Sequence, residues 1–237
     1  MEVQDSLTRY HFDQNLSHKN IIENLQKGNT LVLLENFPLS DYVLQSFINQ
    51  IGVSIKENRN NEGQDVFDVK IEKQNNFFQS IANSNLDFPL HTDCADFDSI
   101  PNCIGLLCVT PASLEQGTNY FVFLNKVIRQ LSEIKIQELL TKKWKFRNKW
   151  RSILTAEKDN FKICYDRISI ESFSEISESE REELSKLDKL FKQNEFKIKL
   201  KKGDLILFRN DLMLHGRSGI DINSNRLIKR IRFDLLD

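Results

Sequence analysis

His91 and Asp93 stand one residue apart in Phe88-Pro-Leu-His-Thr-Asp93. In an extended strand residues i and i+2 project to one face, so this spacing aims an imidazole and a carboxylate at a single point. The pair supplies two of the three protein donors of a mononuclear metal site. The chain has only four His. His11 and His18 lie in a polar N-terminal stretch, whereas His215 follows an apolar strand, in Asn210-Asp-Leu-Met-Leu-His-Gly-Arg217. Two imidazoles and one carboxylate on one face form the facial triad that holds non-haem Fe(II) and leaves positions open for co-substrate and oxygen. For the tripeptide alone the alternative is a surface turn with a polar His; for His215 it is a core histidine held by backbone hydrogen bonds.

Other residues keep company with this set. Thr118 follows His91 by 27 positions, and Arg226 and Arg230 follow His215 by 11 and 15. The segments Leu90-His-Thr-Asp93, Gly117-Thr118, Lys202-Gly-Asp-Leu-Ile-Leu-Phe-Arg-Asn210, Leu214-His-Gly-Arg217 and Arg226-Leu-Ile-Lys-Arg230 occur in that order. In motif order and spacing the chain resembles the taurine dioxygenase-like (TauD/TfdA) Fe(II)/2-oxoglutarate-dependent dioxygenases and their clavaminate synthase-like relatives. The resemblance runs from about residue 28 to the C-terminus.

The resemblance implies a mainly β fold with flanking helices, a double-stranded β-helix (jelly-roll, cupin-like) barrel. It implies Fe(II) bound by His91, Asp93 and His215, with 2-oxoglutarate and O2 as co-substrates. The co-substrate is a diacid whose distal carboxylate needs a fixed cation, and a planar guanidinium pairs a carboxylate bidentately. Arg226 stands where the family has that residue, and Thr118 where it has a supporting hydroxyl. Arg230, four residues on, shares the face of Arg226 in a strand and stands where relatives meet an anionic substrate group. Asn83 and Asn85 precede the His-x-Asp motif in a segment that borders the substrate pocket of relatives; turn formation is the competing reading. Tyr165 and Arg167, in an aromatic-then-Arg segment, are further substrate candidates. Phe97 is a candidate pocket wall, with a place in the core as the alternative. Arg217, Lys229 and Arg232 are set aside. The implied reaction is hydroxylation of an unactivated C–H of a small polar or anionic metabolite, an amino acid or natural-product intermediate, with release of succinate and CO2. Asp93 stands where related halogenases have a small residue, which disfavours halogenation. The chain departs from the pattern at Gln116, where relatives have a second Gly, at Ile231, where an aromatic is usual, and in its shortness.

The elements that must position these residues are legible from periodicity. Thr30–Leu34 and Ile104–Val109 are continuous apolar runs, as in strands buried on both faces. Val66–Glu72 and Phe196–Leu200 alternate, as do Ile231, Phe233 and Leu235. A helix is expected over Asn20–Gln26, closed by Gly28. A second runs from Ser40 to Gly52 on Val43, Leu44, Phe47, Ile48 and Ile51. A third is marked by Val127, Ile128, Leu131 and Ile134, and a fourth follows the Ser177/Glu180 capping box. Lys142–Arg151 interleaves basic and aromatic residues, which would suit single-stranded nucleic acid; a single alternating strand is favoured, with Trp144, Phe146 and Trp150 on one face. Phe161–Arg167 reads as a further strand, and Asn58–Gln64 as a loop.

At 237 residues the chain is expected to be one domain, with a helical and loop lid insertion around 124–195. A net charge of −1 argues against a nucleic-acid partner, and no apolar run is long enough to span a bilayer. Cys94, Cys103, Cys108 and Cys164 contain no Cys-x-x-Cys pair and read as reduced thiols. With no secretory signal evident, the expected location is cytoplasmic. The 17 Phe are expected to fill the core. A small-molecule substrate is the expected partner, and homo-oligomerisation is left open. Two other functions compete: a non-catalytic metal/2-oxoglutarate-binding sensor or scaffold, which has no need of a co-substrate clamp at Thr118 and Arg226 if only the metal site is kept, and a zinc-dependent hydrolase, which lacks an evident general base and leaves the Arg pair unexplained.

Overall fold

The structure is a computed structural model that describes residues 7–13, 16–56, 64–72, 81–113, 116–157 and 160–236. Its two uninterrupted apolar runs form the strands Leu31–Glu35 and Cys103–Thr110. Leu31, Leu33, Ile104 and Leu106 point into one core with Ile206, Phe208, Phe121, Phe123 and Met213. Val32, Leu34 and Leu107 point the other way, onto the helices His18–Lys27 and Asp41–Ile51. Apolar demand on both faces is why these strands do not alternate.

Apart from two separate two-stranded hairpins, the described strands sort into two facing sheets. The larger runs, in spatial order, through Leu7–His11, Leu31–Glu35, Leu205–Arg209, Cys103–Thr110, Leu227–Leu235 and Gly52–Ser54, and Val66–Val69 also pairs with Leu227–Leu235. Its first pair is parallel and the others antiparallel. The smaller runs Phe196–Ile198, Asn119–Phe123, Met213–Arg217 and Phe88–His91, all antiparallel. Phe121, Phe123, Phe196 and Phe208 pack in the space between the sheets. This is the double-stranded β-helix arrangement, mainly β with flanking helices, and open at its edges rather than closed into a barrel.

Local chemistry sets the helix ends. Ser17 caps His18–Lys27, and Gly28 closes it at a left-handed φ of 68°. Ser40 caps Asp41–Ile51, but Gly52 is extended and passes straight into a strand. Glycine is needed there for proximity: a Cβ would lie 2.5 Å from the carbonyl oxygen of Asp234. The Ser177–Glu180 capping box is formed and opens Glu178–Gln193.

Three expectations need correction. Residues 142–151 form a hairpin, Lys143–Phe146 with Lys149–Ser152, not one strand. The turn, with Arg147 at φ 57°, reverses parity, so Trp150 pairs with Lys145 and is 63 % exposed while Trp144 and Phe146 are buried. The helix expected around 127–134 is two helices, Leu124–Ile128 and Glu133–Thr141, because Ser132 caps a new start. Ile134 is consequently exposed. The strand expected over 161–167 stops at Ile163; the Asp166 carboxylate then accepts from the backbone N–H groups of Ile168 and Ser169 and starts the helix Arg167–Phe173. Most of the expected loop at 58–64 lies outside the described residues.

Residues 124–195 join two adjacent strands of the smaller sheet and carry four helices and two hairpins among the described residues. Their apolar side chains pack on the outer face of that sheet, against Val122 and Leu214. Among the described residues no helix is long and apolar enough to cross a membrane. All four Cys are buried free thiols.

Candidate active site

His215 sits in Met213–Arg217, where it is the direct cross-strand partner of His91. Their ring centroids are 4.2 Å apart. Phe88 stacks on His91 at 3.7 Å, and Phe208 packs on His215 at 4.9 Å. Asp93 is reached differently from the sequence expectation. The strand ends at His91, and Asp93 begins a turn. Its convergence with His91 is therefore imposed by neighbours rather than by strand parity. Thr92, between the two, exchanges hydrogen bonds with the backbone of Tyr165. The Asp93 N–H donates to Asn210 Oδ1 at 2.8 Å, and Asn210 Nδ2 donates to the carbonyls of Asp93 and Pro101. Arg151, from the hairpin, donates to the carbonyls of Ala95, Phe97 and Asp98 in the same turn.

The result is a tight donor cluster. Asp93 Oδ1 lies 3.3 Å from His91 Nε2 and 3.6 Å from His215 Nε2. One ligand atom from each residue falls within 4.8 Å of the others, and all three residues are buried. His91 Nδ1 faces the carbonyl of Pro89 at 2.8 Å. A carbonyl only accepts, so Nδ1 carries a proton. Nε2 makes no hydrogen bond. Nε2 and Asp93 Oδ1 face each other across 3.3 Å, an arrangement that a cation held by both would satisfy. Burial, with His91 beside it, holds the His215 imidazole well below its usual pKa and hence neutral. Burial pushes the Asp93 carboxyl up, but the guanidiniums of Arg230 and Arg232 outweigh it and hold it well below the usual carboxylate range. Two imidazoles and a carboxylate fit Fe(II).

A small cavity opens beside the cluster. It is lined by His91, His215, Phe88, Ala82, Val69, Leu106, Asn119, Ile228 and the three arginines Arg217, Arg226 and Arg230. Arg226 is 5 % exposed, and among the described residues no carboxylate or hydrogen-bond acceptor pairs with its guanidinium. Burial, together with the charge of Arg217, lowers its pKa to about 10. Gly117 makes room for it: φ is +62°, and a Cβ there would lie 3.2 Å from Arg226 Cδ. A buried cation without an anion is costly unless a ligand supplies one.

Comparison with known proteins agrees with this geometry. The family model "Taurine catabolism dioxygenase TauD, TfdA family" matches residues 6–232. The chain belongs to the TauD/TfdA dioxygenase family. Members of this family are Fe(II)/2-oxoglutarate-dependent oxygenases, and this chain is an enzyme of that kind. No curated protein sequence matches significantly. Among solved structures, asparagine oxygenase (AsnO) is similar with a TM-score of 0.71 at 16 % identity, over 92 % of this chain and 78 % of that one. The non-haem iron oxygenase OrfP, in a mutant form in complex with (3S)-hydroxy-L-Arg, gives 0.74 at 12 % identity, over 92 % and 79 %. PvcB from Pseudomonas aeruginosa gives 0.71 at 15 % identity, over 96 % and 86 %.

In this TauD/TfdA chain the remaining candidates divide. Arg230 lines the cavity and pairs with Asp93 Oδ2 at 3.0 Å. Thr118 is half-buried just before Asn119–Phe123, its backbone tied to Ser218 in both directions, and it is not among the lining residues. Asn83 is buried but turned to Glu72, to which its Nδ2 donates at 2.8 Å. Asn85 serves through its backbone carbonyl, which accepts from Ile220. The Tyr165 hydroxyl donates to Asp188 at 2.5 Å, and Arg167 pairs with Asp188 and Glu171. Both side chains are committed to the helix Glu178–Gln193 and the start of Arg167–Phe173, so they do not line the cavity. Among the described residues of 124–195 none lines it either.

Several residues with evident roles escaped the sequence reading. Arg217, set aside there, donates to the carbonyls of Ile81, Ala82, Ser84 and Leu86 and holds that segment against the cavity. Arg232, also set aside, donates from Nε to Asp93 Oδ2 at 2.9 Å. The parity that placed Arg226 and Arg230 on one face applies equally to Arg232 and would have found it. Asn210, quoted only as part of a motif, is the backbone clamp of Asp93. Asn210→Ala strips partners from three buried backbone groups, at about 1–3 kcal/mol for each left unsatisfied. A thermal melt should show a clear loss of stability, and metal titration a weakened site; unchanged metal affinity would remove Asn210 from the account.

Proposed function

We propose that this TauD/TfdA enzyme hydroxylates an unactivated C–H of a small anionic or zwitterionic metabolite, an amino acid or a compound derived from one, with release of succinate and CO2. The carrying observation is Arg226: a buried guanidinium with no carboxylate or acceptor paired to it among the described residues, lining the same cavity as His91 and His215. His91, Asp93 and His215 would hold the iron, and Arg226 the distal carboxylate of 2-oxoglutarate, with Thr118 a candidate second contact. When bound, iron and 2-oxoglutarate supply the oxidising power, by coupling decarboxylation of the diacid to activation of dioxygen.

The chain's own part is to bind, orient and keep dry. Phe88 and Phe208 fix the two imidazole planes by packing. Val69, Leu106 and Ile228 give the cavity an apolar wall that excludes water. Arg230 and Asn119 are the polar lining groups nearest in chemistry to what an amino-acid substrate needs: a cation for its carboxylate and an amide for a polar substituent. Support for an amino-acid substrate comes from similar structures, one described with 2S,3S-3-hydroxyasparagine and others with hydroxylated L-Arg. A zinc hydrolase would leave the buried Arg226 without purpose.

The test is consumption of 2-oxoglutarate by the Fe(II)-loaded enzyme across free amino acids and their decarboxylated amines. At least one amino acid should accelerate consumption and itself gain one oxygen by mass spectrometry, while its amine, lacking the carboxylate, does not. Equal acceleration by acid and amine would dismiss the anionic substrate.

A further inference from the structure

Asp93 is held at both ends of its carboxylate. Oδ1 faces the two imidazoles, at 3.3 and 3.6 Å. Oδ2 faces away from them and meets two guanidiniums, Arg230 Nη1 at 3.0 Å and Arg232 Nε at 2.9 Å. The two arginines occupy alternate positions on the long strand Leu227–Leu235, paired with Leu106 and Ile104 of the neighbouring strand. Each guanidinium is backed by an aromatic ring. Arg230 lies over Phe67 at 5.1 Å, and Arg232 lies over Phe97, in the turn that Asp93 begins, at 5.7 Å. Their surroundings nevertheless differ. Arg230 lines the cavity, and Arg232 does not.

We propose that Arg232 is a positioning residue for the candidate metal-ligand carboxylate: beside Arg230 it holds Asp93 Oδ2, so that only Oδ1 is offered to the metal. The inference rests on the reading that His91, Asp93 and His215 bind a metal.

The physical argument concerns what would happen with one arginine alone. A carboxylate turns readily about its Cβ–Cγ bond, because that torsion is broad. If Arg230 were the sole restraint, a substrate carboxylate drawing on it would weaken the hold on Oδ2. Oδ2 could then swing towards the metal and occupy a position that oxygen chemistry needs open. Arg232 removes that coupling. Its Nε–H donates to Oδ2, its guanidinium lies over the Phe97 ring, and it is not among the residues that line the cavity. Groups that hold a ligand's second atom set both its orientation and its affinity for metal.

The sign of the effect separates this role from simple electrostatics. Deleting a positive charge next to a dication should tighten metal binding on Coulomb grounds alone. Deleting a positioning group should loosen it. Co(II), whose visible bands report coordination number, is the probe, titrated anaerobically into metal-free full-length protein. Wild type should bind one Co(II), and His91→Ala should abolish binding. Arg232→Met should bind about 10- to 100-fold more weakly, with altered visible bands. Arg230→Met should loosen Co(II) less than Arg232→Met does, because Arg232 still holds Oδ2, and should leave the bands nearer those of wild type. Arg232→Gln repeats the measurement with a shorter neutral side chain if Arg232→Met does not fold, and the same direction is expected.

Equal or tighter Co(II) binding with unchanged bands in either Arg232 variant overturns the proposal. So does an equal loss in the Arg230 and Arg232 variants, because the two would then act as one unit. Failure of wild type to bind Co(II) overturns the metal-site reading itself, an outcome distinct from normal wild-type binding with indifferent Arg232 variants.

Discussion

Arg226→Met should lose 2-oxoglutarate and gain stability in the same protein. The guanidinium is buried, lines the cavity, and faces no anion among the described residues, so the ligand-free fold carries the cost of desolvating it. A methionine of similar length fits the room Gly117 leaves and removes that cost. The expected gain is about 1 kcal/mol or more. For a chain of this size that corresponds to roughly 2–4 °C in the melting temperature for each kcal/mol. The co-substrate, in contrast, would lose the partner of a buried carboxylate, at about 2–5 kcal/mol. At the lower end that is already about 30-fold in Kd. Calorimetric titration and a thermal melt of the same variant decide it. A variant that melts lower and binds 2-oxoglutarate as tightly as its parent would show Arg226 to be structural. Sites that bind charged ligands commonly give up stability for function in this way.

Asp93→Ala and His215→Ala should both lose metal, yet differ in the stability of the metal-free fold. Either change leaves two donors, and the affinity for Fe(II) should fall by more than about 100-fold, beyond what removal of an outer partner costs. Without metal the two sites are not equivalent. Asp93 is the carboxylate that both Arg230 and Arg232 meet, and all three side chains are nearly buried. Removing one member of such a buried group typically costs about 3–5 kcal/mol. His215 is held neutral by burial and forms no such pair, so His215→Ala should cost only the packing of an imidazole against Phe208. Denaturant unfolding of the metal-free variants should place Asp93→Ala well below His215→Ala. Equal midpoints would mean that the Asp93 ion pairs contribute little to the fold.

What the sequence made legible follows from how local each signal is. The buried strands, the capped helices and the three metal-ligand candidates were readable because period, caps and motif order are short-range patterns. The reversal at Arg147, which put Trp150 outside, was not: alternation on both arms of a tight hairpin resembles one longer strand. The helix after Asp166 was missed because an Asp ending an apolar stretch was read as part of a strand rather than as an N-cap. Asp93 converges on His91 through Asn210 and Tyr165, which lie 117 and 72 residues from it. No spacing rule within Phe88–Asp93 holds that information. Tyr165 and Arg167 show the opposite failure. A polar aromatic and an arginine near a motif suggested ligand contacts, but Asp188, on a distant helix, takes up both.

The most direct test of the central claim is an anaerobic absorption titration. Metal-free protein is given Fe(II) and then 2-oxoglutarate, and the visible spectrum is followed for the weak charge-transfer band of the iron-bound keto acid. The account predicts that the band grows to one equivalent in wild type, is absent in His91→Ala, and needs far more 2-oxoglutarate in Arg226→Met. Folded protein that holds Fe(II) through His91 and His215 yet develops no band at saturating 2-oxoglutarate would contradict it.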